Sequence, residues 1–215
     1  MNNSLPMPSP LIDRPSQPIA RLVLAHGAGA GASSDFMQWL TSALLEQRIE
    51  VWRFNFPYMQ QQLAEQKKRP PNPMATLQQA FRQQLQQCPD DVPLFIGGKS
   101  MGGRVASTLA IDPAVPFRAV LAYGYPFHAP GKQVYRTDHF ADLKRPMLVL
   151  QGCRDTFGSY AELSELNWPA VRLHWLDDGD HSFKPRKKSG LLQSELIEQA
   201  AQQSREFIDE ILATI

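Results

Sequence analysis

Cysteine is scarce in this 215-residue chain, which contains only Cys88 and Cys153. Two cysteines in a domain of this size do not make a disulfide framework, and they favour a reducing compartment. An excess of charge is also missing, since 22 basic residues are balanced by 21 acidic ones. That balance argues against nucleic acid as a partner, because proteins devoted to gripping it carry a strongly basic surface.

Long apolar runs are absent as well. No stretch approaches the ~20 residues that a bilayer-spanning helix needs, so no membrane partner is predicted. The first 18 residues lack the basic start and apolar middle of a signal peptide, and they contain five prolines. We therefore expect residues 1–18 to form a Pro-rich strap or disordered tail, and we expect a cytoplasmic protein.

Beyond that segment, short apolar runs rich in β-forming residues alternate with longer amphipathic ones. This alternation predicts one α/β domain over residues 19–215, with a mostly parallel sheet of about six strands and helices on both faces. Asp35 and Asn72 resemble helix N-caps. Residues 58–73 and 125–144 are predicted to be loops that supply a minimal lid. The predicted strands cover residues 21–25, 49–56, 92–97, 118–123, 146–151 and 171–176.

The motif Gly98-Lys99-Ser100-Met101-Gly102 lies between a predicted strand and a predicted helix. Its G-x-S-x-G pattern is typical of a nucleophilic serine on a sharp turn, where small neighbours let the chain pass closely. Such a turn lifts the hydroxyl to a helix N-terminus, where unpaired N–H groups favour developing negative charge. Ser100 is therefore the predicted nucleophile.

A serine becomes a good nucleophile when a base, itself held by a third group, takes its proton. In this arrangement the acid follows the serine in the chain and the histidine comes last. Asp155 follows the fifth predicted strand and His181 follows the sixth, at the same edge of the sheet as Ser100. We predict a catalytic triad of Ser100, Asp155 and His181.

Other ionisable residues are weaker candidates for these roles. Asp180 is the nearest rival to Asp155, although we expect it to shape the turn that carries His181. The remaining histidines are expected to be supporting, packed or surface residues: His26, His128, His139 and His174.

The turn HGAGAG, residues 26–31, follows the first predicted strand. It is placed to supply one N–H of an oxyanion hole, from Ala28 or failing that Gly29, with the second N–H coming from Met101. The rival interpretation is a dinucleotide or phosphate loop. However, the spacing is G-x-G-x-G rather than G-x-G-x-x-G, and no Walker lysine follows.

These motifs resemble one branch of the α/β-hydrolases, named for a vertebrate testis-expressed protein and for a subunit of the non-specific-lethal histone acetyltransferase complex. The resemblance covers residues 19–215 and implies the α/β-hydrolase fold without the first antiparallel strands of larger relatives. It also implies the same nucleophile, acid and base. Small bacterial members are often likened to dienelactone hydrolase, but that enzyme uses cysteine, so Ser100 argues against its activity. The matching segments are HGAGAG (26–31), GGKSMGGR (97–104), QGCRDTFG (151–158) and GDHSFK (179–184).

The sequence thus predicts a serine hydrolase, of carboxylesterase type, that cleaves a small carboxylic ester or thioester. We expect no cofactor and no metal, and a monomer or small homo-oligomer; no further substrate-binding residue is assigned. Two alternatives stay open. One is a non-catalytic binding protein or complex subunit, favoured by complex-forming relatives and by the Gln-rich residues 60–87. The other is peptidase or acyltransferase chemistry at the same triad.

Overall fold

The computed structural model describes residues 9–132 and 134–214. Seven strands form one sheet in the order β1-β3-β2-β4-β5-β6-β7. Strands β2 to β7 pair in parallel, whereas β1 is antiparallel to β3, so the predicted mostly parallel α/β sheet is confirmed. The strands are β1 (Leu11–Asp13), β2 (Ala20–Ala25), β3 (Ile49–Phe54), β4 (Leu94–Lys99), β5 (Val120–Tyr123), β6 (Met147–Gly152) and β7 (Val171–Leu176).

Helices cover both faces of this sheet. Helices α1 and α6 pack on one face, and α3 and α4 pack on the other. No helix in the described ranges combines the length and apolar character that a bilayer crossing requires. The helices are α1 (Asp35–Glu46), α2 (Pro57–Glu65), α3 (Met74–Leu85), α4 (Met101–Leu109), α5 (Tyr160–Leu163) and α6 (Gln193–Ala213), with 3₁₀ turns at Asp138–Asp142 and Lys187–Ser189.

Strand β2 shows how one apolar run supplies two cores. Leu22 and Leu24 belong to the core under α1 and α6, whereas Val23 and Ala25 belong to the core under α3 and α4. All four are fully buried. Successive side chains of a strand point to opposite faces, so a strand covered on both sides must be apolar throughout.

Strand β1 corrects the prediction for the N-terminal segment. Residues 11–13 form an edge strand where the sequence predicts a strap or tail, and an antiparallel strand therefore precedes the six parallel ones. Only a few residues separate Pro10 from Pro15, too few to show an alternating pattern. The strand is stabilised by its pairing with β3 and by an ion pair of 2.7 Å between Asp13 and Arg53. Residues 1–8 of the predicted strap lie outside the described residues.

The two predicted lid loops are also more structured than expected. Residues 58–73 include most of α2, whose Tyr58 and Met59 are buried, and two buried side chains are too few to produce a periodic pattern. Within residues 125–144, Phe127 and Phe140 are buried in the core. Both expected lid segments are therefore anchored to the domain by a few buried side chains, while residues 63–71, 130–132 and 134–135 are exposed.

The starts of two helices differ slightly from the prediction. Ser34, not Asp35, occupies the N-cap of α1. Asn72 does not cap α3; its Oδ1 instead accepts the N–H of Tyr58 at 2.8 Å and ties the approach to α3 to the start of α2. A sequence pattern shows that a helix begins near a cluster of polar residues. It does not show which of them is the N-cap, the residue whose backbone is still extended.

Candidate active site

The carboxyl ends of β4, β6 and β7 bring the three predicted catalytic residues together. Ser100 follows β4 directly, while Asp155 and His181 lie on the loops after β6 and β7. His181 Nε2 lies 2.9 Å from Ser100 Oγ, and His181 Nδ1 lies 2.8 Å from Asp155 Oδ2. The serine, the imidazole and the carboxylate therefore form one continuous hydrogen-bonded chain.

Ser100 has a strained backbone, with φ of 50° and ψ of −114°. Such a conformation costs a non-glycine residue on the order of 1–3 kcal/mol and survives where the surroundings enforce it. The neighbouring glycines permit the turn. A Cβ on Gly98 would lie 2.4 Å from the carbonyl carbon of Gly102, and one on Gly102 would lie 2.4 Å from the oxygen of Ala25.

Asp155 is completely buried and accepts three hydrogen bonds. Its Oδ2 accepts the Gln151 amide at 2.9 Å as well as the imidazole of His181, and its Oδ1 accepts the N–H of Phe157 at 2.8 Å. A buried carboxylate needs such donors, because its desolvation is otherwise very costly. The carboxylate is thus fixed in orientation as well as in place.

Gln151 is a site residue that the sequence reasoning missed. Its Oε1 accepts the N–H of Tyr125 at 2.8 Å, and its Nε2 also donates to the carbonyl of Gly158 at 3.0 Å. These bonds join the loop after β5 to the loop after β6, with Asp155 between them. The signal in the sequence was a glutamine near the end of an otherwise apolar strand, and the structure buries this side chain completely.

The imidazole of His181 lies against an aromatic ring and sits on a tightly bonded turn. The ring of Phe157 lies with its centroid 4.3 Å from that of His181, at an interplanar angle of 31°. Asp180 Oδ1 accepts the N–H groups of Ser182 at 2.8 Å and Lys184 at 3.0 Å. Asp180 therefore shapes the turn, as expected.

His26 supports the glycine-rich turn after β2. Its Nε2 accepts the N–H of Phe56 at 3.1 Å, and its Nδ1 lies 2.6 Å from the oxygen of Gly27. Burial lowers the pKa of His26 to about 4, so the ring is neutral, with its proton on Nδ1. The hydroxyl of Tyr58 donates to the carbonyl of Ala28 at 3.0 Å and holds the turn from the other side.

The two predicted oxyanion-hole residues lie on different elements, the turn after β2 and the start of α4. Ala28 is exposed on this turn. Met101 is the first residue of α4, so its N–H has no intrahelical partner. Gly27 adjoins the nucleophile, because a Cβ at that position would lie 3.6 Å from Cβ of Ser100. The turn that carries Ala28 therefore lies beside Ser100.

The other histidines have partners of their own. His139 Nε2 lies 2.8 Å from Ser107 Oγ, and His128 Nε2 lies 3.5 Å from a carboxylate oxygen of Glu162. His174 lies on the edge strand β7. These contacts involve none of the three predicted catalytic residues.

Comparison with known proteins identifies the family. A family model described as an alpha/beta hydrolase domain matches residues 18–209. The chain belongs to this family. The resemblance to α/β-hydrolases noted in the sequence is thereby confirmed for the superfamily, and the sheet and helices of this α/β-hydrolase domain are those of the α/β-hydrolase fold.

Solved structures from three organisms share this fold. Est1E from Butyrivibrio proteoclasticus, with ferulic acid bound, superposes on the α/β-hydrolase domain with a TM-score of 0.69 at 13% identity, covering 95% of each chain. Dienelactone hydrolase from Anabaena variabilis gives a TM-score of 0.66 at 18% identity, covering 93% of this chain and 89% of its own. An alpha-beta serine hydrolase homologue from Coxiella burnetii gives 0.67 at 18% identity, covering 90% of each chain.

Proposed function

We propose that this α/β-hydrolase domain is a serine hydrolase that cleaves a small carboxylic ester or thioester through an acyl-enzyme. The observation that carries the proposal is the hydrogen-bonded chain Ser100–His181–Asp155, with distances of 2.9 and 2.8 Å. Both distances fall within the roughly 2.6–3.2 Å over which a base can take a proton from a nucleophile.

In acylation, His181 Nε2 takes the hydroxyl proton of Ser100 while Oγ forms a bond to the substrate carbonyl carbon. Asp155 accepts the Nδ1–H bond, keeps Nε2 free to act as the base and stabilises the imidazolium that forms. His181 then gives the proton to the leaving alkoxide or thiolate as the bond to the carbonyl carbon breaks. The products of this half are an alcohol or thiol and an ester of Ser100.

In deacylation, a water molecule takes the place of the leaving group. His181 removes a proton from the water as its oxygen bonds to the acyl carbon, and the proton returns to Ser100 Oγ when the acyl–serine bond breaks. The carboxylic acid leaves and the site is restored. Each half-reaction balances on residues of this chain, without a cofactor or a metal.

The carbonyl oxygen gains negative charge in both halves, and two main-chain N–H groups are assigned to it. Those of Ala28 and Met101 form the proposed oxyanion hole, and each donor would contribute about 3–4 kcal/mol. Two bonds support this assignment, because they fix the turn before substrate arrives: His26 of the turn accepts the N–H of Phe56, and the Tyr58 hydroxyl donates to Ala28.

The substrate class is supported by two further points. A Rhodothermus marinus protein described as an esterase domain shares this fold, with a TM-score of 0.62 at 17% identity over 92% of each chain. Residues 125–144 are anchored in the core at Phe127 and Phe140, while Val134 and Tyr135 between them are exposed, so this segment offers a small cover rather than a large lid. We further propose a cytoplasmic, monomeric or small homo-oligomeric enzyme; Cys88 and Cys153 are both free thiols, which suits a reducing compartment.

A fluorophosphonate probe tests the reaction directly. We expect it to label Ser100 in the folded protein, and we expect 4-nitrophenyl esters of short acids to be hydrolysed. Ser100→Ala should abolish both signals, whereas the matched control Ser194→Ala, at an exposed serine of α6, should keep them. Absence of labelling and turnover in the parent protein would favour the non-catalytic binding protein instead. Varying the acyl chain against alcohol, thiol and amine leaving groups would then define the substrate class.

A further inference from the structure

Lys99 places a buried ammonium group beside the proposed catalytic residues. It is the last residue of β4, directly before Ser100, and it is only 8% exposed. Its Nζ donates to the main-chain carbonyl oxygen of His181 at 2.5 Å, a contact between residues 82 positions apart in the chain. The proposed mechanism assigns no step to this lysine.

The surroundings of Lys99 are shaped to admit the ammonium group. Its Nζ lies 5.3 Å from the centroid of the Phe36 ring, which packs edge-on against Phe183 at 5.4 Å. Gly124, with φ of 63°, leaves the necessary space: a Cβ there would lie 2.7 Å from Lys99 Nζ and 2.9 Å from the oxygen of His181. The lysine therefore occupies a defined slot between β4, β5 and the loop after β7.

A charge in this position is costly for the folded state. Burial lowers the pKa of Lys99 to about 8, although the carboxylates of Asp155 and Asp180 act in the opposite direction. Among the described residues, no carboxylate forms an ion pair with Lys99. A methionine of similar length would fill the slot without the cost of desolvating an ammonium group. Groups that break a packing rule in this way concentrate at functional sites.

We propose that Lys99 is a positioning residue that holds His181 in place, an inference that rests on the proposed function. Asp155 holds the imidazole at Nδ1, and Lys99 holds the main chain of the same residue at its carbonyl oxygen. The base is thereby fixed at two points, and these set the approach of Nε2 to Ser100 Oγ. Lys99 acts through His181 and does not touch the substrate.

Lys99→Met removes the donor and the charge and leaves an unbranched side chain that is one atom shorter. We expect kcat for a 4-nitrophenyl ester to fall about 10- to 100-fold, the scale of loss when a reacting group is misplaced by about 1 Å. KM should stay within about twofold, because no substrate contact is lost. The melting temperature should change little, because the gain from removing a buried charge is offset by the loss of the donor to the His181 carbonyl oxygen. Lys188→Met, at an exposed lysine, is the matched control and should behave as the parent.

Lys99→Gln is a second variant, which tests the same inference if Lys99→Met does not fold. Its amide is uncharged and one atom shorter, so it should show the same loss in kcat with KM retained. A kcat within twofold of the parent in both variants would overturn the inference. A parallel loss of kcat and melting temperature, or failure of both variants to fold, would also overturn it, because the lysine would then serve the fold. If the parent and Lys188→Met show no turnover at all, the proposed function fails and this inference fails with it.

Discussion

The side-chain nitrogen of Gln151 lies 2.9 Å from Oδ2 of Asp155, the same oxygen that faces the imidazole of His181. The proposed acid is thus held by a buried amide that lies outside the serine–histidine–aspartate pattern. Because glutamine is uncharged, it orients the carboxylate without opposing the positive charge that develops on the imidazole. The Gln151 side chain also accepts the main-chain N–H of Tyr125 and donates to its carbonyl oxygen. It therefore connects two loops of the site.

Gln151→Met should impair both stability and activity. The main-chain N–H of Tyr125 would lose its acceptor in a buried position, which costs about 1–3 kcal/mol. Asp155 would lose one of three hydrogen bonds, and we expect kcat to fall about tenfold as the carboxylate turns. Urea unfolding and ester hydrolysis measure the two effects. Gln86→Met, at an exposed position after α3, is the control; equal values for the two variants would contradict this role for Gln151.

Asp155→Asn should leave the fold intact and remove most of the activity. With its oxygen turned to the N–H of Phe157, an asparagine presents its NH2 group to His181 and Gln151. The hydrogen bond from Gln151 is then lost, and the wrong imidazole tautomer is favoured at His181. In a well-studied serine–histidine–aspartate triad of another fold the same change lowers kcat by about 10⁴-fold, and the proposed mechanism predicts a loss on that scale here. The kcat from steady-state kinetics and the rate of fluorophosphonate labelling should both fall. A variant with more than a tenth of the parental kcat would show that Asp155 does not orient the base.

Gly152→Ala should push the loop after β6, which carries Asp155, away from the loop after β7, which carries His181. A Cβ at this position would lie 2.4 Å from the carbonyl oxygens of both Gly179 and Asp180, and backbone atoms cannot swing aside. We expect about 1–3 kcal/mol lower stability and a clear loss in kcat. Gly29→Ala is the control for thermal unfolding, since nothing lies within 4 Å of its added carbon. Equal melting temperatures would rule out the clash.

His26 should make the fold sensitive to acid. Its pKa is about 4 in the folded protein and 6.5 in the unfolded chain, because burial disfavours the charged ring. The unfolded state therefore binds more protons between these values, and stability is lost as the pH falls from 6.5 towards 4. The loss from this group is on the order of 3 kcal/mol.

His26→Gln is the variant that isolates this contribution. Glutamine does not titrate, so the difference in unfolding free energy between pH 7 and pH 4 should be smaller in the variant than in the parent. Urea unfolding at both pH values measures it. The same pH dependence in the two proteins would mean that another group carries the acid sensitivity.

The position of the candidate site was predictable because parallel strands all run in the same direction. Ser100, Asp155 and His181 each follow a predicted strand, and the carboxyl ends of parallel strands share one edge of the sheet. Chain order and strand ends were therefore enough to predict that these residues meet. Their distances follow from the packing of the whole domain, which a linear pattern does not contain.

The residues that support the site were not predictable in the same way. The side chains of Lys99 and Gln151 form hydrogen bonds with residues of neighbouring loops. The pattern of apolar and polar residues along the chain does not indicate such contacts. Strand β1 was missed because three residues form it, and α2 was missed because its two buried side chains are followed by a polar, Gln-rich stretch. In each of these cases tertiary contacts, rather than local sequence, decide the structure.

The 81 positions between Ser100 and His181 have a consequence for how the protein is made. The ribosome produces about 5–20 residues per second, so the serine emerges roughly 4–16 s before its histidine. During that interval the hydroxyl has no base and reacts no more readily than any other serine. Strands β6 and β7 must then join the sheet before proton transfer is possible. The proposed activity therefore requires residues on both sides of this interval, and a nascent chain released before residue 181 should be inert.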